Sequence, residues 1–362
     1  MAKLNRRQLL ASGLLAGLTG PAIAQSVQAQ STQPNQDAAP PQSADESLDA
    51  ILGSDAPAAT GTPQTNQPLG LITVPIVAYN REMSQLLIQC SHIGIEQFER
   101  GQQDPRYNGS IRLLESYRSQ LDRYRQVAAF RVTLDATTTL LPNLGALGNR
   151  IVRRILNPTQ VFIGFALASE TDNIIVFRGT TNPKEWVANF QARQTDYVQA
   201  GAVRGQVHTG FLRLYSQLSQ QIRSVVNQLN PAVPCYVAGH SLGGALATLA
   251  CTDLAQNYRS IKDQLQLYSY AAPRVGNLDF AKFSSAIAPN TFRIINLADI
   301  VPMVPPASLR DQQYIHVGQA WVFLDYAGGD VAASHATTAY QGAIAQQIET
   351  NQIPSFPTRV RT

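Results

Sequence analysis

Hydrophobic positions along the chain change period in a way that separates its elements. From residue 71 the pattern opens with helical spacing: Ile76 to Glu99, then Gly109 to Val127, place apolar residues three and four apart. Two runs of β character follow, Val161 to Ala168 and Ile174 to Phe177, parted by an Asp172-Asn173 turn. Phe211 to Leu229 predicts an amphipathic helix stopped by Asn230-Pro231. Cys235 to Ala238 predicts a short buried strand, and a helix begins just after Ser241. Leu265 to Ala271, Phe280 to Ile287 and Phe292 to Leu297 predict strand, helix and strand. Tyr314 to Val317 and Trp321 to Tyr326 add β character, and His335 to Ile348 predicts a closing helix. Strands that read as near-continuous apolar runs between helices predict an α/β fold. Its central sheet is mostly parallel, with helices on both faces and further helices at the N-terminal side. No internal repeat is visible, which sets aside solenoids and propellers.

Before residue 71 the pattern is different. Residues 1–24 carry Lys3, Arg6 and Arg7 without an acid, then the apolar run Leu9 to Ile23 broken by three glycines, then Ala22-Ile23-Ala24. That is the layout of an export signal peptide with a small-residue cleavage site. Arg6-Arg7 before Gln8-Leu9-Leu10 is twin-arginine-like and predicts a bacterial chain exported to the periplasm or beyond. Residues 25–70 hold five acids and no Lys or Arg among Gln, Ala, Pro, Ser and Thr. Such a segment buries too little apolar surface to offset its ordering entropy, so a disordered linker is expected.

A length of 362 residues suggests about two domains. Removing the signal and linker leaves instead one large domain over 71–362. The net charge is +4, but without those segments 25 basic residues face 19 acidic ones, so the domain itself carries +6. Its basic residues are scattered. Arg150, Arg153 and Arg154 form the one tight group, read as a solvated face with anionic lipid as the alternative, and nothing favours nucleic acid. No apolar stretch reaches the about 18 residues of a membrane-spanning helix. Cys90, Cys235 and Cys251 are too few and too widely spaced for a disulfide framework and predict buried free thiols. No metal or organic cofactor is implied.

Gly239-His240-Ser241-Leu242-Gly243 is a G-x-S-x-G placed between a predicted strand and a predicted helix. A serine at such a sharp turn holds its hydroxyl above the sheet, and side chains at 239 and 243 would collide there. Ser241 is therefore the candidate nucleophile, with His240 expected to point away and pack below the turn. The backbone N–H of Leu242, at the helix N-terminus, is a candidate oxyanion donor.

The longer run Gly239 to Leu246 resembles the nucleophile motif of the class 3 lipases, the fungal-type triacylglycerol lipase family of α/β-hydrolase fold. Val176-Phe177-Arg178-Gly179-Thr180, Val207 to Phe211, Pro273-Arg274-Val275-Gly276-Asn277 and Asn296 to Pro302 agree with it in order and spacing. The resemblance covers about residues 160–345 and is loose over 71–159. It implies that Thr180 is the second oxyanion donor. In α/β-hydrolases the carboxylate and then the histidine follow the serine. Two histidines do so: His316, inside a β run and so a structural strand residue, and His335, after a glycine loop and before the last helix. His335 is the expected base. Asp299, at the end of a predicted strand, is the expected carboxylate partner. His208 is expected to make a structural hydrogen bond, and His92 has no distinguishing feature.

Asn182-Pro183-Lys184-Glu185 reads as a helix start, followed by the apolar face Trp186, Val187 and Phe190. Beside the oxyanion residue, as in the resembling family, this helix is expected to act as a lid that opens at a lipid–water interface. The resemblance implies a serine hydrolase of lipid esters. A phospholipase or galactolipase and a feruloyl-type esterase are the enzymatic alternatives, and a catalytically silent lipid-binding module lies outside enzymes. Oligomeric state, acyl-chain length and head group are not specified by these patterns.

Overall fold

The computed structural model describes residues 74–134, 159–180, 192–326 and 331–350. The signal and linker segments, the arginines at 150, 153 and 154, and the expected lid residues Trp186, Val187 and Phe190 lie outside them.

A seven-stranded sheet organises the described residues. Its strands are β1 (Arg125–Leu134), β2 (Thr159–Ala168), β3 (Asn173–Phe177), β6 (Cys235–His240), β7 (Leu265–Tyr270), β8 (Thr291–Asn296) and β11 (Gln319–Phe323). They lie side by side in that order. β1, β2 and β3 pair antiparallel, and every pairing from β3 to β11 is parallel. Two hairpins stand outside it: β4 (Gln194–Gln199) with β5 (Ala202–His208), and β9 (Ser308–Leu309) with β10 (Gln312–Gln313).

The central strands carry apolar residues towards both faces because both are covered. In β3, Ile175 and Phe177 face one core while Ile174 and Val176 face the other; in β6, Cys235 and Val237 alternate with Tyr236 and Ala238. The first core is closed by α2 (Thr209–Val225), α3 (Leu242–Asn257) and α5 (Leu278–Ile287), through Phe211, Leu218, Leu246, Leu249 and Phe280. The second is closed by α1 (Arg81–Gln103) and α7 (Thr337–Thr350), through Leu87, Ile88, Ile93, Tyr340 and Ile344. The short helix α4 (Arg259–Lys262) joins α3 to β7, and α6 (Val331–His335) precedes α7. The buried carboxylate of Asp253 on α3 accepts from Tyr215 Oη (2.6 Å) and Arg223 Nη2 (2.7 Å) on α2, so it ties the two helices together. Among the described residues no helix is long and apolar enough to cross a membrane. The three cysteines are free and buried, and burial pushes the thiols of Cys90 and Cys235 up to about 12.

Four expectations are corrected. The first helix starts at Arg81 rather than Ile76: Asn80 caps it by accepting from Met83 N (2.9 Å), while the Ile76 and Val77 amides donate to Asn290 Oδ1. Gly109 to Val127 is not a helix. Two single 3₁₀ turns, Ile111–Leu113 and Ser119–Leu121, bury Ile111, Leu114, Leu121 and Tyr124, and β1 begins at Arg125. Such turns produce the same i, i+3 apolar spacing without a continuous helix. Tyr314 to Val317 is not a strand; Ile315 makes an isolated bridge to Gly276, and the Tyr314 amide donates to Ala307 O (2.9 Å). The closing helix is two, α6 and α7, with His335 ending the first.

Candidate active site

The parallel strands end at one edge of the sheet, and the predicted site residues sit just beyond those ends. Ser241 follows β6 with φ 58° and ψ −127°, a left-handed conformation that a non-glycine residue holds at a cost of about 1–3 kcal/mol. Its amide donates to Tyr270 O (2.8 Å), and its carbonyl accepts from Gly244 N (2.9 Å). The flanking glycines are needed. A Cβ on Gly239 would lie 2.2 Å from Gly243 O, one on Gly243 2.2 Å from Phe177 O, and one on Gly244 2.6 Å from Ala272 Cβ. Leu242 opens α3, where the first amides have no intrahelical acceptor.

Thr180 closes the run after β3 and is buried. A Cβ on the preceding Gly179 would sit 2.8 Å from His240 O and 2.9 Å from Ser241 Cβ, so this segment packs directly on the serine turn. The fully buried Arg178 props it from below: Nε donates to Phe162 O (3.0 Å), Nη1 to Gly179 O (2.6 Å), and the guanidinium lies 3.8 Å from the Phe98 ring centre. Burial drives its pKa down to about 9.

Asp299 and His335 are brought together. His335 Nδ1 lies 2.7 Å from Asp299 Oδ2, with both side chains buried. The same oxygen accepts from Tyr340 Oη (2.8 Å), and Asp299 Oδ1 accepts from Val301 N (2.9 Å). A carboxylate only accepts, so the imidazole proton sits on Nδ1 and Nε2 of the neutral ring is a bare acceptor. His335 Nε2 and Ser241 Oγ are both buried atoms with no hydrogen-bond partner in the structure. Asn296 links the two loops: its Nδ2 donates to Ser334 O (3.0 Å) and Asp325 O (2.8 Å), and its amide donates to Tyr340 Oη (3.1 Å).

The remaining histidines divide as follows. His208 caps α2 by accepting from Phe211 N (3.3 Å), the structural bond expected of it. His316 Nε2 donates to Pro302 O (2.8 Å), a structural role outside any strand. His92 Nδ1 pairs with Thr337 Oγ1 (3.0 Å). His240 does not point away from the site: its ring centre lies 4.7 Å from that of His335, and Nε2 donates to His335 O (2.7 Å). Sequence reasoning also missed Tyr340 and Asn296. The only trace of Tyr340 is a tyrosine five residues after His335 on the closing helix.

Residues 174–309 match the family model described as Lipase (class 3). This segment belongs to the class 3 lipase family. The class 3 lipase segment carries Thr180, Ser241 and Asp299 and stops before His335. A lipase of Rhizomucor miehei is 33% identical over 161 residues, 43% of this chain and 43% of that protein. The "Secreted mono- and diacylglycerol lipase 1" of Fusarium solani is 36% identical over 157 residues, 41% of this chain and 44% of that one. The chain thus spans less than half the length of these curated relatives. A solved Rhizomucor miehei lipase propeptide complex superposes with a TM-score of 0.51 at 22% identity, covering 72% of this chain and 76% of that one. At that identity the likeness is one of fold, and the fold is that of the α/β-hydrolases.

Two histidines, His240 and His316, are expected to set the acid stability of the fold. Burial, then the charge of His335, holds His240 well below 6.5; burial, then Arg293 and Arg274, holds His316 down at about 2. Unfolded, both take a proton near 6.5. Between the two values the unfolded chain binds more protons, so stability is complete above about 6.5 and is lost as pH falls. Each group contributes a slope of up to about 1.4 kcal/mol per pH unit, less for the partly exposed His316. Melting temperature followed from pH 8 to 4.5 is expected to fall below 6.5, less steeply in His316→Gln, which keeps a donor for Pro302 O. Equal slopes would refute the assignment.

Proposed function

We propose that the chain is an exported serine carboxylic-ester hydrolase acting on lipid esters, triacylglycerol lipase-like, through an acyl-enzyme intermediate. One observation carries this reading: the Asp299–His335 bond leaves His335 Nε2 bare, in a buried site shared with a serine on a strained strand-to-helix turn. Ser241 Oγ attacks the ester carbonyl while His335 Nε2 takes its proton, and Asp299 stabilises the imidazolium. The backbone N–H groups of Leu242 and Thr180 receive the oxyanion. The tetrahedral intermediate collapses as His335 protonates the departing alcohol. Water, deprotonated by the same ring, then releases the fatty acid and restores Ser241.

Both curated relatives described above are named as lipases, one of them as secreted. Export of this chain is assigned to the twin-arginine-like signal over 1–24, followed by the linker 25–70 and the hydrolase domain 71–362. The substrate is met at a lipid–water interface, with Trp186, Val187 and Phe190 as the lid.

The test is a fluorophosphonate that phosphonylates the nucleophile, with the modified residue located by peptide mapping. Labelling at Ser241 is expected; a folded protein that takes no label would overturn the enzyme reading. A panel of triolein, phosphatidylcholine, galactolipid and short p-nitrophenyl esters then separates lipase from phospholipase, galactolipase and esterase. Triolein is expected to be the best substrate, with a rate jump as substrate aggregates; equal specific activity on monomeric and aggregated ester would remove the lid.

A further inference from the structure

We infer that His240 is a positioning residue for His335, joining the nucleophile turn to the base in one hydrogen-bonded unit; this rests on the reading of Ser241 and His335 given above. Three observations carry it. The carbonyl of His335 accepts from His240 Nε2 at 2.7 Å, and a carbonyl has no proton to give, so His240 holds its proton on Nε2. The two rings lie 4.7 Å apart at 43°, with the His240 ring edge-on to Tyr340 at 5.6 Å. His240 Nδ1 is buried without a partner and faces Gly179, where an added Cβ would come within 3.2 Å of it, so the ring packs against the 177–180 run.

The geometry follows from the topology. His240 is the last residue of β6 and sits one residue before Ser241, so its backbone is fixed by the parallel ladder to β7. His335 is the last residue of the five-residue helix α6, and no ladder holds it. Its side chain is oriented by Asp299, but one bond from Nδ1 leaves the ring free to pivot about that contact. A second bond, to its own carbonyl from a residue rigidly coupled to Ser241, sets the distance from Nε2 to the serine hydroxyl. The same donor has a role during the reaction. When His335 becomes an imidazolium, the neighbouring ring must stay neutral, and burial keeps His240 so.

Three variants separate the donor from the packing. His240→Leu removes the Nε2–H and keeps an apolar side chain. His240→Gln places an amide N–H near the same position. His240→Asn is also polar, but its amide falls near Nδ1 and does not reach the carbonyl. The readouts are kcat and KM on p-nitrophenyl butyrate, fluorophosphonate labelling rate and melting temperature. A displacement of the base by an ångström costs up to about 10²-fold, so kcat and labelling rate are expected to fall by about that factor in the Leu and Asn variants. KM should change little, and His240→Gln should recover most of the rate. Should the Leu variant fail to fold, the Gln and Asn pair still distinguishes the donor. Equal rates in Gln and Asn, or wild-type kcat in either Leu or Asn, would overturn the proposal. A wild-type chain that takes no fluorophosphonate and hydrolyses no ester would instead overturn the reading beneath it.

Discussion

Replacement of Asp299 by Asn is expected to leave a folded protein that hydrolyses esters about 10⁴-fold more slowly. The size follows from which oxygen does what. Asp299 Oδ1 accepts from Val301 N at 2.9 Å, so the amide oxygen of an asparagine settles there and its NH₂ takes the place of Oδ2. That place faces His335 Nδ1 at 2.7 Å and Tyr340 Oη at 2.8 Å. A donor opposite Nδ1 selects the tautomer whose proton is on Nε2, and such a ring has nothing with which to accept the Ser241 proton. Tyr340 Oη can reverse and accept from the new amide, so packing survives. The measurement is kcat on a soluble ester beside a thermal melt. A rate within tenfold of wild type would remove Asp299 from the proposed mechanism.

Ser241, Asp299 and His335 are readable from sequence, whereas the residues that hold them in place are not. The turn around Ser241 was legible because glycines at 239 and 243 and an apolar strand before them are each demanded by one local geometry. Asp299 was legible because it lies just beyond the predicted strand Phe292 to Leu297, at the end of the sheet where such sites assemble. Tyr340 and Asn296 were not, since their bonds to Asp299, Ser334 and Asp325 join segments brought together only by the packing of α7 on the sheet. His240 was misread for a related reason. Its place beside the serine suggested a direction for the ring, but that direction is set by the carbonyl of a residue 95 positions later. At the level of elements, the alternation from β6 to β8 was legible from period alone. The segment 109–127 was not, because 3₁₀ turns and a helix share the i, i+3 spacing that was used to read it. The β4–β5 hairpin was hidden by its half-exposed pattern, with Val198 and Val203 facing outward.

Gly243→Ala is expected to lower stability by about 3 kcal/mol, the upper part of the range for overpacking a filled site, and to remove most activity with it. The added methyl would stand 2.2 Å from Phe177 O and 2.7 Å from Arg178 O. Both are backbone atoms at the end of β3, and neither can rotate aside as a side chain would. Either α3 lifts from the sheet or the 177–180 run is pushed away, and each movement disturbs the proposed site. Lifting α3 relaxes the left-handed Ser241, whose φ of 58° is held by the bonds of its amide to Tyr270 and its carbonyl to Gly244. Pushing the strand end carries Thr180 away from the turn, because Gly179 has no slack against His240 and Ser241. At roughly 2–4 °C per kcal/mol for a domain of this size, the melting temperature should fall by about 6–12 °C. Gly342→Ala, in an exposed turn of α7 where nothing lies within 4 Å of the new carbon, is the matching control. It should be neutral or raise stability by up to about 1 kcal/mol, because alanine favours the helix over glycine. A Gly243→Ala protein that melts within a degree of wild type and takes fluorophosphonate at the same rate would show that the strand and the serine turn do not confine each other.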